Sequence, residues 1–220
     1  MNADPNRAWA LPPLRIARAV VAWALKAALV IALPGAQAAP LSVKVTDEQG
    51  QPLADAAVSV FLAGAVPAGA AGARAEMAQK GRTFVPPVLV VQTGTAVSFP
   101  NQDKVRHHVY SFSAAKPFEL KLYGGEVAPA VVFDKPGTVV LGCNIHDRML
   151  AYVHVVDTPH FARTSEQGLA RLDVPAGLHR LQVWHASLGE NQALTLQSVQ
   201  VAASGSELTV KLDAKAGAAR

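Results

Sequence analysis

The sequence predicts an all-β protein, an antiparallel sandwich of many short strands. Three observations carry this. Apolar and polar residues alternate in short runs between residues 41 and 212. Gly, Pro, Asp and Asn stand at nearly every junction between the runs. Beyond the N-terminal leader, no stretch shows a helical period of useful length. Short alternating runs separated by turn residues are the pattern of sandwiches and barrels.

In chain order, Leu41-Ser-Val-Lys-Val-Thr46 alternates, Asp47-Glu-Gln-Gly50 turns, and Ala57 to Phe61 resumes. Residues 63–75 are Ala/Gly-rich and read as a flexible surface connection. Val88 to Gln92 and Ala96 to Phe99 flank a Thr93-Gly94 turn. Strands are then predicted over Val105 to Phe112, Glu119 to Tyr123, Ala130 to Phe133, Val139 to Cys143 and Ala151 to Val156. The last runs are Leu169 to Val174, His179 to Trp184 and Leu208 to Leu212. Pro86-Pro87, Pro100-Asn101, Gly124-Gly125, Pro136-Gly137 and Pro175-Ala-Gly177 supply the breaks. Residues 214–220 read as a disordered tail.

The leader sets the compartment. Arg7, Arg15, Arg18 and Lys26 precede the apolar run Ala27 to Leu33, Pro34-Gly35 breaks it, and Ala36-Gln37-Ala38 offers small residues for cleavage. Residues 1–38 therefore read as a secretory signal peptide cut after Ala38 or Ala39, which places the protein in the periplasm. As a membrane anchor the run falls far short of the roughly 20 residues a span needs. Extending it back to Ala19 would bury Lys26. Cleavage leaves 182 of the 220 residues and no expected membrane span. Of 20 Lys/Arg and 16 Asp/Glu, four basic and one acidic residue leave with the leader, so the remainder holds 16 against 15. No basic tract is left to recruit nucleic acid.

A single cysteine in an exported chain cannot form an internal disulfide. Either Cys143 is a buried inert thiol or it is a ligand, and its neighbours favour the second. Cys143-Asn-Ile-His146-Asp-Arg-Met149 places a thiolate, an imidazole and a thioether in one short loop after a strand. A thiolate and two imidazoles with a weak axial thioether suit copper in both oxidation states. Zinc would use the Cys and His but has no need of Met. A second imidazole is available upstream, from His107 or His108, where a turn gives way to a strand.

These residues resemble the ligand set of the cupredoxin, or type 1 blue copper, family. The spacing Cys143-x-x-His146-x-x-Met149 is similar to the short ligand loop of amicyanin and less like plastocyanin's longer one. Phe84-Val-Pro-Pro87, Gly94-Thr-Ala-Val-Ser-Phe99, Asn101 and His107 are similar to the family's first half. The resemblance implies a Greek-key sandwich over about residues 76–156, holding one type 1 copper per chain through His107, Cys143, His146 and Met149. It also implies a non-enzymatic electron carrier that meets redox protein partners at His146. The family usually has Asn or a small polar residue after the first His ligand, where this chain has His108. The chain further resembles exported proteins labelled methylamine utilisation proteins.

Sequence flanking this segment has its own pattern. Val43 to Val58 resembles the opening hairpin of a carboxypeptidase-regulatory-like module, and Thr164 to Val183 resembles its second half. One expectation is a smaller β module split into residues 41–62 and 157–213, with the copper domain inserted. The other is that residues 41–62 supply the first strand of the cupredoxin sheet. His154, His160, His179 and His185 read as structural or solvated, and Trp184 as core or interface packing. Asp147 and Arg148 read as exposed, where they could shape docking. No nucleophile elbow, phosphate loop or paired-carboxylate motif is present. A copper chaperone or storage protein is the alternative, yet such proteins favour Met/His-rich tracts with several soft ligands and this chain has three Met, one of them Met1. An interaction module with a vestigial site is a third reading, opposed by the intact ligand set.

Overall fold

The computed structural model describes residues 38–65, 69–125, 130–189 and 195–213. The predicted leader up to residue 37 and the predicted tail lie outside the described residues. The strands in order are β1 (Ala38–Asp47), β2 (Ala57–Leu62), β3 (Arg74–Glu76), β4 (Ala78–Lys80), β5 (Thr83–Val85) and β6 (Val88–Gln92). Next come β7 (Thr95–Ser98), β8 (His107–Ser111), β9 (Phe118–Tyr123), β10 (Val131–Phe133), β11 (Gly137–Gly142) and β12 (Leu150–Val156). The last are β13 (His160–Arg163), β14 (Leu169–Pro175), β15 (Gly177–Trp184), β16 (Thr195–Val201) and β17 (Ser206–Leu212). The fold is all-β. A single 3-10 turn, Ala186–Leu188, is the one helical element among the described residues, and none of these is a helix able to cross a membrane.

Five strands escaped the sequence reading, each for a physical reason. β3, β4 and β5 have three residues each, too few to display a period of two. β3 also takes the last residues of the Ala/Gly-rich stretch into a sheet, pairing Arg74 with Ala96 and Ala75 with Val97. β13 buries no residue fully, and β16 turns Leu196 outward at 59 % exposure while Val199 and Val201 point inward. Apolar residues on both faces erase the alternation.

The strands form two apolar cores. In the first, the sheet β14-β1-β17 packs against β13-β2-β15-β16. Leu41, Val43 and Val45 from β1 meet Val58 and Val60 from β2 and Leu181 and Val183 from β15. β1 runs antiparallel to β14, Ala38 opposite Pro175 through Lys44 opposite Leu169, and parallel to β17. β2 pairs with β13 and β15. Thr164 fastens the two ends of the chain: its hydroxyl accepts from Ala56 N at 2.8 Å and donates to Leu53 O at 2.7 Å. Gly168 lies at φ +70, and a Cβ there would sit 2.5 Å from Val45 O, so only glycine lets that turn pack on β1.

In the second core, β10-β7-β3 packs against β6-β12-β11-β8-β9, with Phe99, Val109, Phe133, Leu141 and Val153 between them. The β4–β5 hairpin lies beside β7 and hydrogen-bonds to its backbone through Met77 N to Ser98 O. Two features of this sheet set the position of the candidate site. β11 and β12 pair from Gly137 opposite Val155 to Gly142 opposite Leu150, so residues 143–149 form their connection. Tyr110 on β8 lies opposite Gly142, which brings the start of β8 beside that connection.

The cores meet at Ala57, Val88, Trp184 and Ala186. The His154 ring stacks on Trp184, centroids 4.8 Å apart and planes 5° from parallel, and its Nδ1 bonds to the Thr138 hydroxyl at 3.0 Å. Burial lowers the His154 pKa from its ordinary 6.5 to about 4. The folded ring therefore stays neutral to about pH 4, while the unfolded ring takes a proton near 6.5. Unfolding takes up a proton within this window, so stability falls as pH drops from 6.5 towards 4 and is level below it. The loss is at most about 3 kcal/mol. Denaturant unfolding at stepped pH should show this decline, and His154→Phe, which keeps the stack and cannot titrate, should reduce it, leaving the part due to His185, whose pKa burial also lowers.

Candidate metal centre

The site is assembled from two places in the second core. The β11–β12 connection supplies Cys143, His146 and Met149, and β8 opens with His107. A hydrogen bond from Met149 N to His146 O, 2.9 Å, folds the connection back on itself. Ligand atoms of His107, Cys143 and His146 all lie within 4.8 Å of one another. Cys143 Sγ is 3.8 Å from His146 Nδ1, and the His107 and His146 rings are 4.9 Å apart, tilted by 55°. Cys143 is buried and free, and Met149 is buried in the same apolar cluster. His146 is half-buried, with Asn144, Asp147 and Arg148 exposed around it.

His107 is fully buried, yet its two ring nitrogens have different surroundings. Nε2 bonds to Asp103 Oδ2 at 2.8 Å, and Nδ1 has no hydrogen-bond partner. A buried nitrogen without a partner costs stability unless something else is bound there. An Nδ1 lone pair beside a thiol and a second imidazole is what a soft transition-metal ion would take up. The donor set therefore fits copper. Asp103 is held in turn by the backbone of the β4–β5 turn: Oδ2 accepts from Arg82 N at 2.9 Å and Oδ1 from Gly81 N at 2.7 Å. The Arg82 N–H first, then the Gly81 N–H and His107, outweigh desolvation and keep the Asp103 carboxyl below its ordinary value.

His108 occupies the opposite face of β8. Its Nε2 bonds to Glu119 Oε1 at 2.9 Å and its ring packs on Tyr110 at 5.4 Å. Its Nδ1 is also unpartnered, but the Cys143–His146 group includes His107 and not His108. Side chains alternate along a strand, so adjacent histidines cannot both face one site. Tyr110 continues that outer face, packed so closely on Gly142 that a Cβ there would lie 2.8 Å from its ring. Beneath the site, burial is the main cause that raises the Tyr123 pKa, so its hydroxyl stays protonated and donates to Phe99 O.

The remaining histidines serve elsewhere. His154 stacks at the junction of the cores, His179 Nε2 bonds to Pro175 O at 2.8 Å, and His185 Nδ1 accepts from Ser187 N at 3.2 Å. His160 Nδ1 lies 3.2 Å from Asp173 O. Trp184 packs at the junction. A cleft of about 870 Å³ lined by Pro52, Asp55, Phe84, Arg163, Glu166 and His185 contains none of the four sequence-predicted ligands. Sequence reasoning overlooked Asp103. Its signal was available as a carboxylate four residues before His107, but nothing in that spacing reveals a hydrogen bond across a turn.

Neither a protein-family profile nor a curated protein matches the chain. Among solved structures, part of the chain is similar to the copper-containing nitrite reductase of Thermus scotoductus, at 27 % identity and a TM-score of 0.36. That match covers 45 % of this chain and 25 % of the reductase. A reduced mutant of amicyanin matches at 22 % identity and TM-score 0.36, covering 46 % of this chain and 99 % of amicyanin. A purple cupredoxin from Nitrosopumilus maritimus matches at 22 % identity and TM-score 0.32, covering 37 % and 99 %.

The placement of the adjacent histidines yields a direct test. His107→Gly should abolish high-affinity copper binding, with imidazole from solution restoring part of it, and His108→Asn should leave binding intact. Titration with copper followed by visible spectroscopy reads both.

Proposed function

We propose that the chain is a periplasmic, mononuclear type 1 copper protein of the cupredoxin kind that transfers electrons. One copper per chain would be held by His107, Cys143 and His146, with Met149 as a fourth, weaker donor. The observation that carries this reading is the convergence of a buried thiol and two imidazoles within 4.8 Å, one of them with an unpartnered buried nitrogen. Bound copper would supply a one-electron couple.

The chain's own part is to hold donors acceptable to both oxidation states in place beforehand, so that little has to move when an electron passes. Cys143 sits at the end of a hydrogen-bonded strand, and His107 is fixed through Asp103. His146 is the more exposed of the three grouped residues and is flanked by Ile145, 48 % exposed. That edge, with Asp147 and Arg148, is where a redox partner would approach. The periplasmic setting rests on the leader sequence, and a link to methylamine utilisation rests on resemblance alone. Residues 41–62 and 157–213 would form one split module of the carboxypeptidase-regulatory kind around the copper domain, 76–156. The pairing of β1 with β14 and β17 and of β2 with β13 and β15 supports that arrangement.

Copper(II)-loaded protein should show an intense visible thiolate-to-copper band at one copper per chain. Cys143→Ser should abolish the band while circular dichroism still reports a folded sandwich. A coloured spectrum surviving in that variant would sink the assignment.

Met149→Leu separates a carrier from a chaperone. It should keep copper bound and raise the reduction potential, because axial ligation tunes such sites. Voltammetry of the native protein should be fast and reversible, with slow copper loss to a chelator. Rapid Cu(I) transfer with sluggish voltammetry would instead identify a chaperone.

A further inference from the structure

The link between Asp103 and the β4–β5 turn goes beyond the ligand set. Asp103 makes four hydrogen bonds that together leave its carboxylate little freedom. Its own N–H donates to Asn101 Oδ1 at 2.9 Å. Asn101 Nδ2 donates to Val105 O at 2.8 Å and to Tyr123 O at 3.0 Å, which ties the loop to β9. The carboxylate accepts from Gly81 N, Arg82 N and His107 Nε2. Gly81 and Arg82 both have positive φ, 64 and 59, as in the tight turns of two-residue hairpins. In that conformation the two successive N–H groups reach the same carboxylate.

An ionised carboxylate can only accept hydrogen bonds, so the proton of a neutral His107 ring must sit on Nε2. Nδ1 is then left as a lone pair, and it is Nδ1 that is buried without a partner in the group containing Cys143 and His146. We infer that Asp103, clamped by the β4–β5 turn, is a positioning residue that sets the His107 tautomer and biases the site towards oxidised copper. The bias follows because a fixed anion one imidazole away makes the ring a stronger donor and favours the higher metal charge. This inference rests on the copper reading above. Its first readout does not need the metal.

The experiment uses the full-length protein with Asp103→Asn, Asp103→Ala and Arg82→Gly. Long-range proton–nitrogen NMR of the metal-free native protein should show His107 protonated at Nε2 and bare at Nδ1. Asp103→Asn keeps the shape but removes the charge and one acceptor, and its amide can donate to Nε2. That variant should shift the ring towards the Nδ1-protonated tautomer, and Asp103→Ala should leave a mixture. Copper(II) affinity should fall about 10–100-fold in both, as for other groups that orient a ligand. Copper(I) affinity should fall less, so the reduction potential should rise. Arg82→Gly keeps both backbone donors and should leave tautomer, affinity and potential unchanged. If both Asp103 variants keep the Nε2 tautomer and the native potential and lose only thermal stability, Asp103 merely closes the turn and the inference fails. If the native protein binds no copper, the functional reading fails, while the metal-free tautomer still decides what Asp103 does.

Discussion

Three donor atoms lie within 4.8 Å of one another, two of them on fully or nearly fully buried residues, and the single long Cys143 Sγ–His146 Nδ1 contact of 3.8 Å is too weak to gather them. Backbone pairing gathers them. The β11–β12 ladder ends at Gly142 opposite Leu150, and β8 lies against the same strand through Tyr110. The ligand loop must close over that end, and His107 must begin its strand there. Phe99, Val109, Phe133 and Leu141 hold the two sheets together below the site, each buried apolar side chain contributing about 1.5–3 kcal/mol. Everything specific to the donor group follows from keeping these strand ends in register.

Polar interactions near the site work differently from the apolar core beneath it. Those around His107 are directional and local: a turn, a carboxylate, an imidazole, an unpartnered nitrogen. Their role is orientation. The asymmetry between His107 and His108 illustrates the point, because identical side chains one residue apart face opposite sides of β8. One is directed by Asp103 into the site and the other bonds to Glu119 on the outer face. The outer face continues through Tyr110 to Phe112, which is 87 % exposed.

The first core has no residue in the donor group, but it shapes how the strands that carry that group are mounted. Its strands come from both ends of the described chain, fastened by Thr164 and by the β1–β14 and β1–β17 pairings. The contact between the cores is small and centred on Trp184, with His154 stacked on it and Tyr152 at 5.5 Å. A buried neutral imidazole at that junction makes the mounting sensitive to acid, whereas the Phe99–Phe118 and Phe118–Phe133 pairs of the other core are phenyl rings that cannot titrate.

Much of this was legible in the sequence, because some signals are local. Alternation at period two marked β1, β14 and β15, short apolar runs marked β2 and β6, and turn residues marked their ends. Cys143, His146 and Met149 fall in one loop, so their spacing, taken with the upstream histidines, pointed to a soft donor set. β3, β4 and β5 have three residues each and no all-apolar run such as the equally short Val131–Phe133 offers, so they could not be read. Which strands β1 and β2 pair with, which face of β8 carries His107, and how Asp103 reaches across a hairpin turn to its ring are contacts between residues distant in sequence or set by backbone twist. Sequence periodicity reports which face of a strand is apolar. Only the packed backbone decides what that face meets.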